Sequence, residues 1–454
     1  MTEDGTEIEI KSVSGCLAAK HRLVDWEANE RPFEAPQTGA EILEVDETIG
    51  RPIKIRTKEG TVEFGNPGGG LVTDVLGFMR FGASSRGFQR QDLFKQTDVK
   101  FEGEDGTDTP GTGGLSQDMY ASFWRGVVER DIGLFERGTA QDKALPAKNA
   151  SADRLELVGL FLCKSIIDQK LIGRSLCPFL FEFLLEEEGR TFDNKRSLRA
   201  QAHAALDALA HFDGRLAKGY RDMLNGVMRD DPDFRGLHTI HELLPDQDPD
   251  DNLPLTPDNV EETIVERCRQ VLWTDRHNSL LALRRGFQTI NVIIKKPVDL
   301  ALMLRPFSTP ELTLLVQGKG VNGAELVANC IEWPESSNQA IANANFPESS
   351  RTPSLLKALL ETGELDAADF LHWATGRHDV PFGGLSTTEN GKIKLQYVYD
   401  DETAAGMDER KWRLPQASTC FHLVKIANFS DPSVMRDKLR MAIEHRKDGF
   451  QLGD

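Results

Sequence analysis

The sequence lacks the features that mark nucleic-acid binding, membrane insertion and secretion. It carries 54 Lys and Arg against 72 Asp and Glu, a formal net charge of -18 at pH 7, whereas binding to phosphate backbones needs clustered basic side chains. It contains no run of about 18 apolar residues, the length of a membrane-spanning helix. The opening residues MTEDGTE are acidic and have no signal-peptide pattern. We therefore expect no nucleic-acid or membrane partner, and a cytoplasmic or nuclear protein.

Cysteine is also scarce and widely spaced. The chain has 6 cysteines, at positions 16, 163, 177, 268, 330 and 420. They form no CxxC pair and no Cys/His cluster at zinc spacing. This spacing predicts reduced thiols, with neither a disulfide framework nor a metal site.

What the chain does contain is enough apolar sequence for ordinary buried cores. With 454 residues and a hydrophobic fraction of 39%, two to three domains are expected. Residues 1–90 show no recognisable module, and we treat them as an N-terminal extension of unknown function. Within them, the alternating stretches IKIRTK (53–58) and TVEF (61–64) flank Glu59 and Gly60, which predicts a hairpin.

Local patterns predict helices and a strand further along the chain. Apolar residues recur at spacings of three and four over 155–167, which predicts a helix with Cys163 on its buried face. The alternating stretch 392–398 predicts a strand. Near the end, Asp431 and Pro432 predict the start of a final helix.

One short stretch near the end, LPQASTCFHL (414–423), sets Cys420 among small and aromatic residues. We expect Cys420 to lie on a loop between strands, ahead of the final helix. A thiol is already partly thiolate at neutral pH, and sulfur attacks carbonyl carbon readily, so thioester chemistry is available to it. A lone cysteine is more often a small buried apolar residue. The surrounding pattern therefore has to decide between the two interpretations.

That pattern resembles a known family. The stretch LPxAxTCF, followed by an apolar segment, a helix and a Gly-Phe pair near the end, resembles the catalytic tail of HECT-type ubiquitin ligases. The segment FLHWATGRHDVPFGG (370–384) is similar to the family's FxTGxxxxPxGGF. Residues 99–120 resemble its opening segment, with an insertion at 109–112. The resemblance runs from about residue 91 to the end.

The resemblance implies an α+β fold with two lobes joined by a hinge. A mainly helical N-lobe with small strands would cover 91–335, and a smaller α/β C-lobe would cover 336–454. Within the N-lobe, the polar stretch 189–267 would form the subdomain that receives the ubiquitin-conjugating enzyme (E2). The match is weak in that stretch, so the groove residues are not identified.

The resemblance also implies a two-step reaction that needs no cofactor or metal. Cys420 would accept ubiquitin from a charged E2 as a thioester and pass it to lysines of protein substrates. Thr419 and Phe421 would shape the loop and place a hydroxyl or backbone N–H groups near the oxyanion, or would only fix the loop. His422 stands where asparagine is common in the family. It would at most modulate the thiol, because a side chain two residues along lies roughly 6 to 7 Å away.

Two residues near the end complete the implied site. Phe450 resembles the aromatic residue that docks the family's C-terminal tail during lysine transfer. Asp454, as the last residue of the sequence, would bring a side-chain and a terminal carboxylate. These would accept the proton of the attacking amine.

Two other functions stay open at this point. A HECT-like protein that binds ubiquitin or its carriers without catalysis agrees with the weak match over 189–267, but not with the intact Thr-Cys-Phe triplet. A cysteine hydrolase would need a histidine and an acid or amide directed at the thiol. His372 and His378 are available for that role, although the ligase resemblance already explains their segment.

Overall fold

The computed structural model describes much of the chain from residue 53 onward. The described residues are 53–57, 71–79, 97–101, 114–129, 133–138, 143–185, 191–192, 194–231, 234, 238–245, 253–288, 304, 307–333, 350–388, 390–398 and 406–447. Cys16, Phe450 and Asp454 lie outside these residues, as does the predicted strand at 61–64. Among the described helices, none is both long and apolar enough to cross a bilayer.

The first part of the described chain is mainly helical. Its elements are β1 (Ile53–Thr57), α1 (Leu71–Met79), β2 (Thr97–Phe101), α2 (Gly114–Glu129), β3 (Phe135–Arg137), β4 (Ala144–Pro146), α3 (Ala152–Ile167), α4 (Pro178–Leu185), α5 (Leu198–Phe212), α6 (Gly214–Met228), α7 (Ile240–Leu243), α8 (Val260–Leu272), α9 (His277–Phe287) and α10 (Thr309–Gln317).

The second part combines helices with one small sheet. Its elements are α11 (Gly323–Glu325), β5 (Ile331–Glu332), α12 (Thr352–Glu361), α13 (Ala367–Thr375), β6 (Ile393–Tyr397), β7 (Gln416–Ser418), β8 (Leu423–Ile426) and α14 (Pro432–Lys447). The described residues combine many helices with three small sheets, so the predicted α+β class is confirmed.

The buried apolar residues form two separate clusters. The first runs from Leu71 to Val316, and the second from Leu326 to Ile443. Leu326, Val327, Cys330 and Ile331 belong to the second cluster, although the resemblance assigns them to the first lobe. They lie there because β5 pairs in parallel with β6, Ile331 opposite Ile393. The lobe boundary at 335/336 itself stays a prediction.

The predicted helix over 155–167 is confirmed as the centre of the first cluster. Helix α3 buries Leu155, Val158 and Leu162 together with Cys163, and it packs closely against α9. A Cβ atom on Gly159 would meet the backbone carbonyl of Leu283. The two helix backbones therefore approach more closely at Gly159 than any side chain would allow.

Replacing Gly159 with alanine should destabilise the protein because the added methyl has backbone rather than a flexible side chain in its way. We expect a loss of about 1–3 kcal/mol in the free energy of unfolding, measured by denaturant titration. The matched control is Gly219→Ala on α6, where an added Cβ meets nothing within 4 Å. That change should stabilise by about 0.5–1 kcal/mol, and equal effects of the two changes would contradict the packing argument.

The N-terminal strand has a pairing partner that the local pattern does not predict. Strand β1 pairs in parallel with β2, Ile53 opposite Thr97 and Thr57 opposite Phe101. The strand predicted at 61–64 lies outside the described residues, so the hairpin itself stays a prediction. A parallel pair requires a crossover connection, which alternation within one short stretch does not reveal.

The C-terminal sheet positions the residues of interest. Its four strands have the order β5-β6-β8-β7, with β6 parallel to β8 and β7 antiparallel to β8. The predicted strand over 392–398 is confirmed as β6, and the predicted final helix as α14. Asp431 caps α14 through its Oδ1, which accepts hydrogen bonds from the N–H groups of Ser433 and Val434 at 2.8 and 3.4 Å.

Candidate functional site

Cys420 lies in the turn of the hairpin formed by β7 and β8. Ser418 pairs with Leu423 at the end of the two strands, which leaves 419–422 as the turn, and Thr419–Phe421 form a single 3₁₀ turn. The predicted location of Cys420 on a loop between strands is therefore confirmed. Hairpin turns held by a packed sheet present side chains to solvent at fixed positions, which suits a nucleophile.

The environment of Cys420 differs from that of the other described cysteines. Cys420 is partly exposed, whereas Cys163, Cys177, Cys268 and Cys330 are buried. Burial raises the pKa of the Cys163, Cys177 and Cys268 thiols to about 12. These three therefore stay protonated and act as small apolar residues. Among the described cysteines, Cys420 is the one accessible to a protein-bound thioester.

The two neighbours of Cys420 have opposite surroundings. Thr419 is buried, at 7% exposure, whereas Phe421 is 59% exposed. A large apolar side chain that is this exposed beside a candidate nucleophile provides contact area for a partner. Thr419 is instead covered by the rest of the protein.

His422 anchors the other end of the turn. Its backbone is left-handed, with φ 47° and ψ 47°, and its carbonyl accepts a hydrogen bond from the Lys394 N–H at 2.7 Å. The buried ring places Nδ1 2.7 Å from the Gly391 carbonyl oxygen. A carbonyl only accepts hydrogen bonds, so Nδ1 carries the proton. His422 thus ties the turn to the start of β6.

The electrostatics of His422 keep its ring neutral. Burial lowers its pKa to about 4, and the nearby positive charges of Arg377 and Lys394 also lower it, against the opposing effect of the Gly391 hydrogen bond. At neutral pH the imidazole is therefore uncharged. A neutral ring does not supply the positive charge that stabilises a thiolate, so its contribution is to hold the turn.

Helix α13 and the loop after it pack against the hairpin turn. The helix contacts both β7 and the 3₁₀ turn. It ends at Gly376, whose backbone is left-handed at φ 78°, while the buried Thr375 hydroxyl donates to the Leu371 carbonyl and accepts from the Arg377 N–H. These contacts give the Thr-Gly pair of the 370–384 segment a structural role, which is to end the helix and redirect the chain.

The two histidines considered for a hydrolase stack on each other. The ring centroids of His372 and His378 lie 3.7 Å apart, with 17° between the ring planes. Within the described part of the chain, no group of three His, Cys, Asp or Glu side chains is arranged to hold a metal ion. Phe450 and Asp454 lie outside the described residues, so their proposed roles rest on sequence alone.

A second surface of interest lies within the stretch 189–267. A groove of about 580 Å³ opens between α6 and the chain after it, and its apolar lining consists of Leu216, Tyr220, Met223 and Phe234. All four side chains are partly exposed. A concave surface lined by such side chains is typical of a site for an apolar residue of a partner. Leu216, Tyr220 and Met223 recur at helical spacings of four and three, but such a pattern does not distinguish an open groove from a core face.

Comparison with known proteins agrees with this geometry. A family model described as HECT-domain (ubiquitin-transferase) matches residues 121–453. The chain is 26% identical over 384 residues to ubiquitin-protein ligase E3B of Mus musculus, covering 78% of this chain and 33% of that protein. It is 24% identical over 363 residues to E3 ubiquitin-protein ligase HUWE1 of Mus musculus, covering 78% and 7%.

The chain spans a third or less of the length of both relatives. The identities are low, but the family model matches well over half of the chain, from within α2 to beyond α14. The matched part contains the hairpin turn with Cys420 and the segment that supports it. This protein therefore belongs to the HECT-domain family of ubiquitin transferases.

Proposed function

We propose that this protein is an E3 ubiquitin ligase that carries ubiquitin as a thioester on Cys420. The observation that supports the proposal is the partly exposed position of the Cys420 thiol at the tip of a hairpin, in a chain whose other described cysteines are buried. The partners it would act with are a ubiquitin-charged E2, ubiquitin and protein substrates. A cytoplasmic or nuclear location, where thiols stay reduced, would keep Cys420 available.

The proposed reaction has two acyl transfers. The Cys420 thiolate attacks the carbonyl carbon of the E2-ubiquitin thioester, and the tetrahedral oxyanion collapses with release of the E2 thiolate. A substrate lysine amine then attacks the new thioester and loses a proton to a base, and the Cys420 thiolate leaves. The first step exchanges one thioester for another, so orientation of the partners and deprotonation of the amine are the main tasks of the protein.

The residues around Cys420 would orient rather than react. Thr419 and His422 would hold the two ends of the turn, and Phe421 would offer its exposed ring to the E2 or to ubiquitin. The support comes from the opposite exposures of Thr419 and Phe421 and from the His422–Gly391 hydrogen bond. Phe450 would dock the tail and the Asp454 side-chain carboxylate would accept the amine proton, as the resemblance implies.

We also propose that the groove lined by Leu216, Tyr220, Met223 and Phe234 receives the E2. It lies inside the stretch 189–267, where the resemblance places the E2-binding subdomain. Its apolar floor is flanked by charged side chains, including Asp213 and Arg215. An apolar centre with a polar rim is the usual composition of a protein interface.

Replacing Met223 with glutamate should weaken transfer from the E2 to the protein. A charge in the apolar centre must be desolvated on binding, and the loss of one central contact costs about 1–2 kcal/mol or more. The expected result is a roughly tenfold slower appearance of the ubiquitin adduct at limiting E2. The matched control, Met441→Glu, changes a methionine that is 47% exposed on α14 and should leave the rate unchanged. Equal rates in both variants would contradict the groove assignment.

The function itself is tested by mixing the purified full chain with a panel of ubiquitin-charged E2 enzymes. Each mixture is run on a non-reducing gel, with and without dithiothreitol. A ubiquitin adduct that dithiothreitol removes is the expected result. The E2 that produces it is also the one to use in the groove experiment.

A further inference from the structure

A deep cleft lies between the two clusters of buried residues. It has a volume of about 590 Å³. One wall comes from the first part of the chain and includes Arg125, Arg137, Lys143 and Arg174, while Arg377, His378 and Asp379 come from the second. The backbones meet beside it, where the N–H groups of Lys319 and Val380 each donate to the carbonyl of the other at 2.9 Å.

The charge of the cleft is opposite to that of the whole protein. Among the residues that the structure describes, its lining contains five Lys or Arg side chains and one acid, Asp379, in a chain of net charge -18. Asp379 is already paired, because its Oδ1 lies 2.6 Å from the Arg174 Nε. Burial lowers the pKa of Lys143, and the Arg174 charge lowers it further. Lys143 and Arg174 therefore repel each other in a concave site, where an anion would relieve the repulsion.

Arg377 is a partly buried cation on the wall of the cleft that comes from the second part of the chain. Desolvation alone lowers the pKa of its guanidinium to about 10, so the group stays charged at neutral pH. No carboxylate of the described residues forms an ion pair with it; the ion pair across the cleft uses Arg174 instead. A desolvated charge without a counter-charge is costly. An anion in the cleft would remove that cost.

We propose that this cleft binds a small polyphosphate that bridges the two parts of the chain. Guanidinium groups present paired N–H donors that match phosphate oxygens. The volume lies within the range of small-molecule sites. Each carboxylate of an acidic peptide would bring one charge, whereas a polyphosphate brings several into one cleft.

Such a ligand would couple to the turn that carries Cys420. Arg137 and Lys143 stand on one side of the cleft and Arg377 on the other, so one polyphosphate bound to both sides stabilises the arrangement described. Arg377 is also close enough to His422 for its charge to lower the pKa of that ring. Arg377 therefore lies in the cleft and also acts through its charge on His422 in the hairpin turn.

The test is isothermal titration calorimetry of the full chain with inorganic triphosphate and with inositol hexakisphosphate, in the absence of ubiquitin and E2. We expect one saturable site. The double change Arg125→Gln/Arg137→Gln should weaken it about tenfold or more, since two charge-assisted hydrogen bonds are lost. The matched pair Arg199→Gln/Arg229→Gln removes the same charge from exposed positions outside the cleft and should change the affinity less than about twofold.

Changes at Arg377, on the wall of the cleft that comes from the second part of the chain, test whether the ligand contacts both walls. Arg377→Gln should weaken binding about tenfold, and Arg377→Lys should restore part of it because the charge remains. Thermal unfolding without the probe checks that each variant is folded. Four results would each overturn the proposal. They are the absence of saturable binding, equal losses of affinity in both double variants, and unchanged affinity of the Arg377→Gln protein. The fourth is binding of an acidic peptide in the same assay but of neither polyphosphate. Because the assay contains no ubiquitin, its outcome is independent of the ligase function.

Discussion

Replacing Cys420 with alanine is expected to abolish the ubiquitin adduct that dithiothreitol removes. No other described cysteine has an exposed thiol, and the pKa of three of them is raised to about 12 by burial. None of these can therefore take over the acyl group at neutral pH. The adduct should fall by at least about a hundredfold on a non-reducing gel. Lysine ubiquitination by the protein should be lost with it.

A serine at the same position tests whether the acyl group is carried by the side chain of residue 420. In Cys420→Ser, any acyl group transferred would form an oxygen ester, which dithiothreitol does not cleave but hydroxide does. A weaker adduct that resists dithiothreitol would therefore show that the acyl group sits on the side chain of residue 420. The matched control is Cys330→Ala, which removes a thiol that is buried in the second cluster of buried residues. This change should leave the adduct in place. An undiminished, dithiothreitol-sensitive adduct in Cys420→Ala would refute the assignment.

The same gel distinguishes the ligase from a non-catalytic binder. Folded wild-type protein that forms no adduct with any E2 of a broad panel, yet binds one of them, would favour the binder. The groove lined by Leu216, Tyr220, Met223 and Phe234 would still serve such a protein. The ligase and the binder would then differ in whether Cys420 accepts ubiquitin, so the hairpin turn decides between the two functions.

The hairpin turn could be predicted because its information is local. The residues of LPQASTCFHL are adjacent in sequence, and the strand pattern on either side is short. Helices α3 and α14 were also predictable, since apolar spacing and capping residues lie within one or two turns. In each case the contacts that matter join residues a few positions apart.

The features that escaped prediction depend on residues far apart in the chain. His422 was recognised as a departure from asparagine, but its acceptor is the carbonyl of Gly391, and no pattern links the two. Strand β1 pairs with β2 across a long connection. The cationic cleft combines Arg125 with Arg377, which lie in the two parts of the chain that form different core clusters. Such contacts depend on how the elements pack, which sequence spacing does not encode.

His422 should make the stability of the protein fall as the pH is lowered. The folded state lowers its pKa from 6.5 to about 4, so the ring is neutral in the folded protein at pH values where it is already protonated in the unfolded chain. The unfolded state therefore binds the extra proton, and unfolding becomes easier as the pH falls from about 6.5 to about 4. Below that range both states are protonated and the difference no longer grows. The shift corresponds to about 3 kcal/mol.

The change His422→Asn isolates this contribution. Asparagine tolerates the left-handed backbone at this position, and its amide can donate to the Gly391 carbonyl without gaining a charge. Urea unfolding at pH 7 and at pH 4.5 is the measurement. The wild type should lose about 2 kcal/mol more than His422→Asn between the two pH values, because the full shift is expressed only below pH 4. The matched control His445→Asn changes an exposed histidine on α14 and should lose as much as the wild type. If His422→Asn loses as much too, the buried neutral ring is not the cause, and another group must account for the loss of stability in acid.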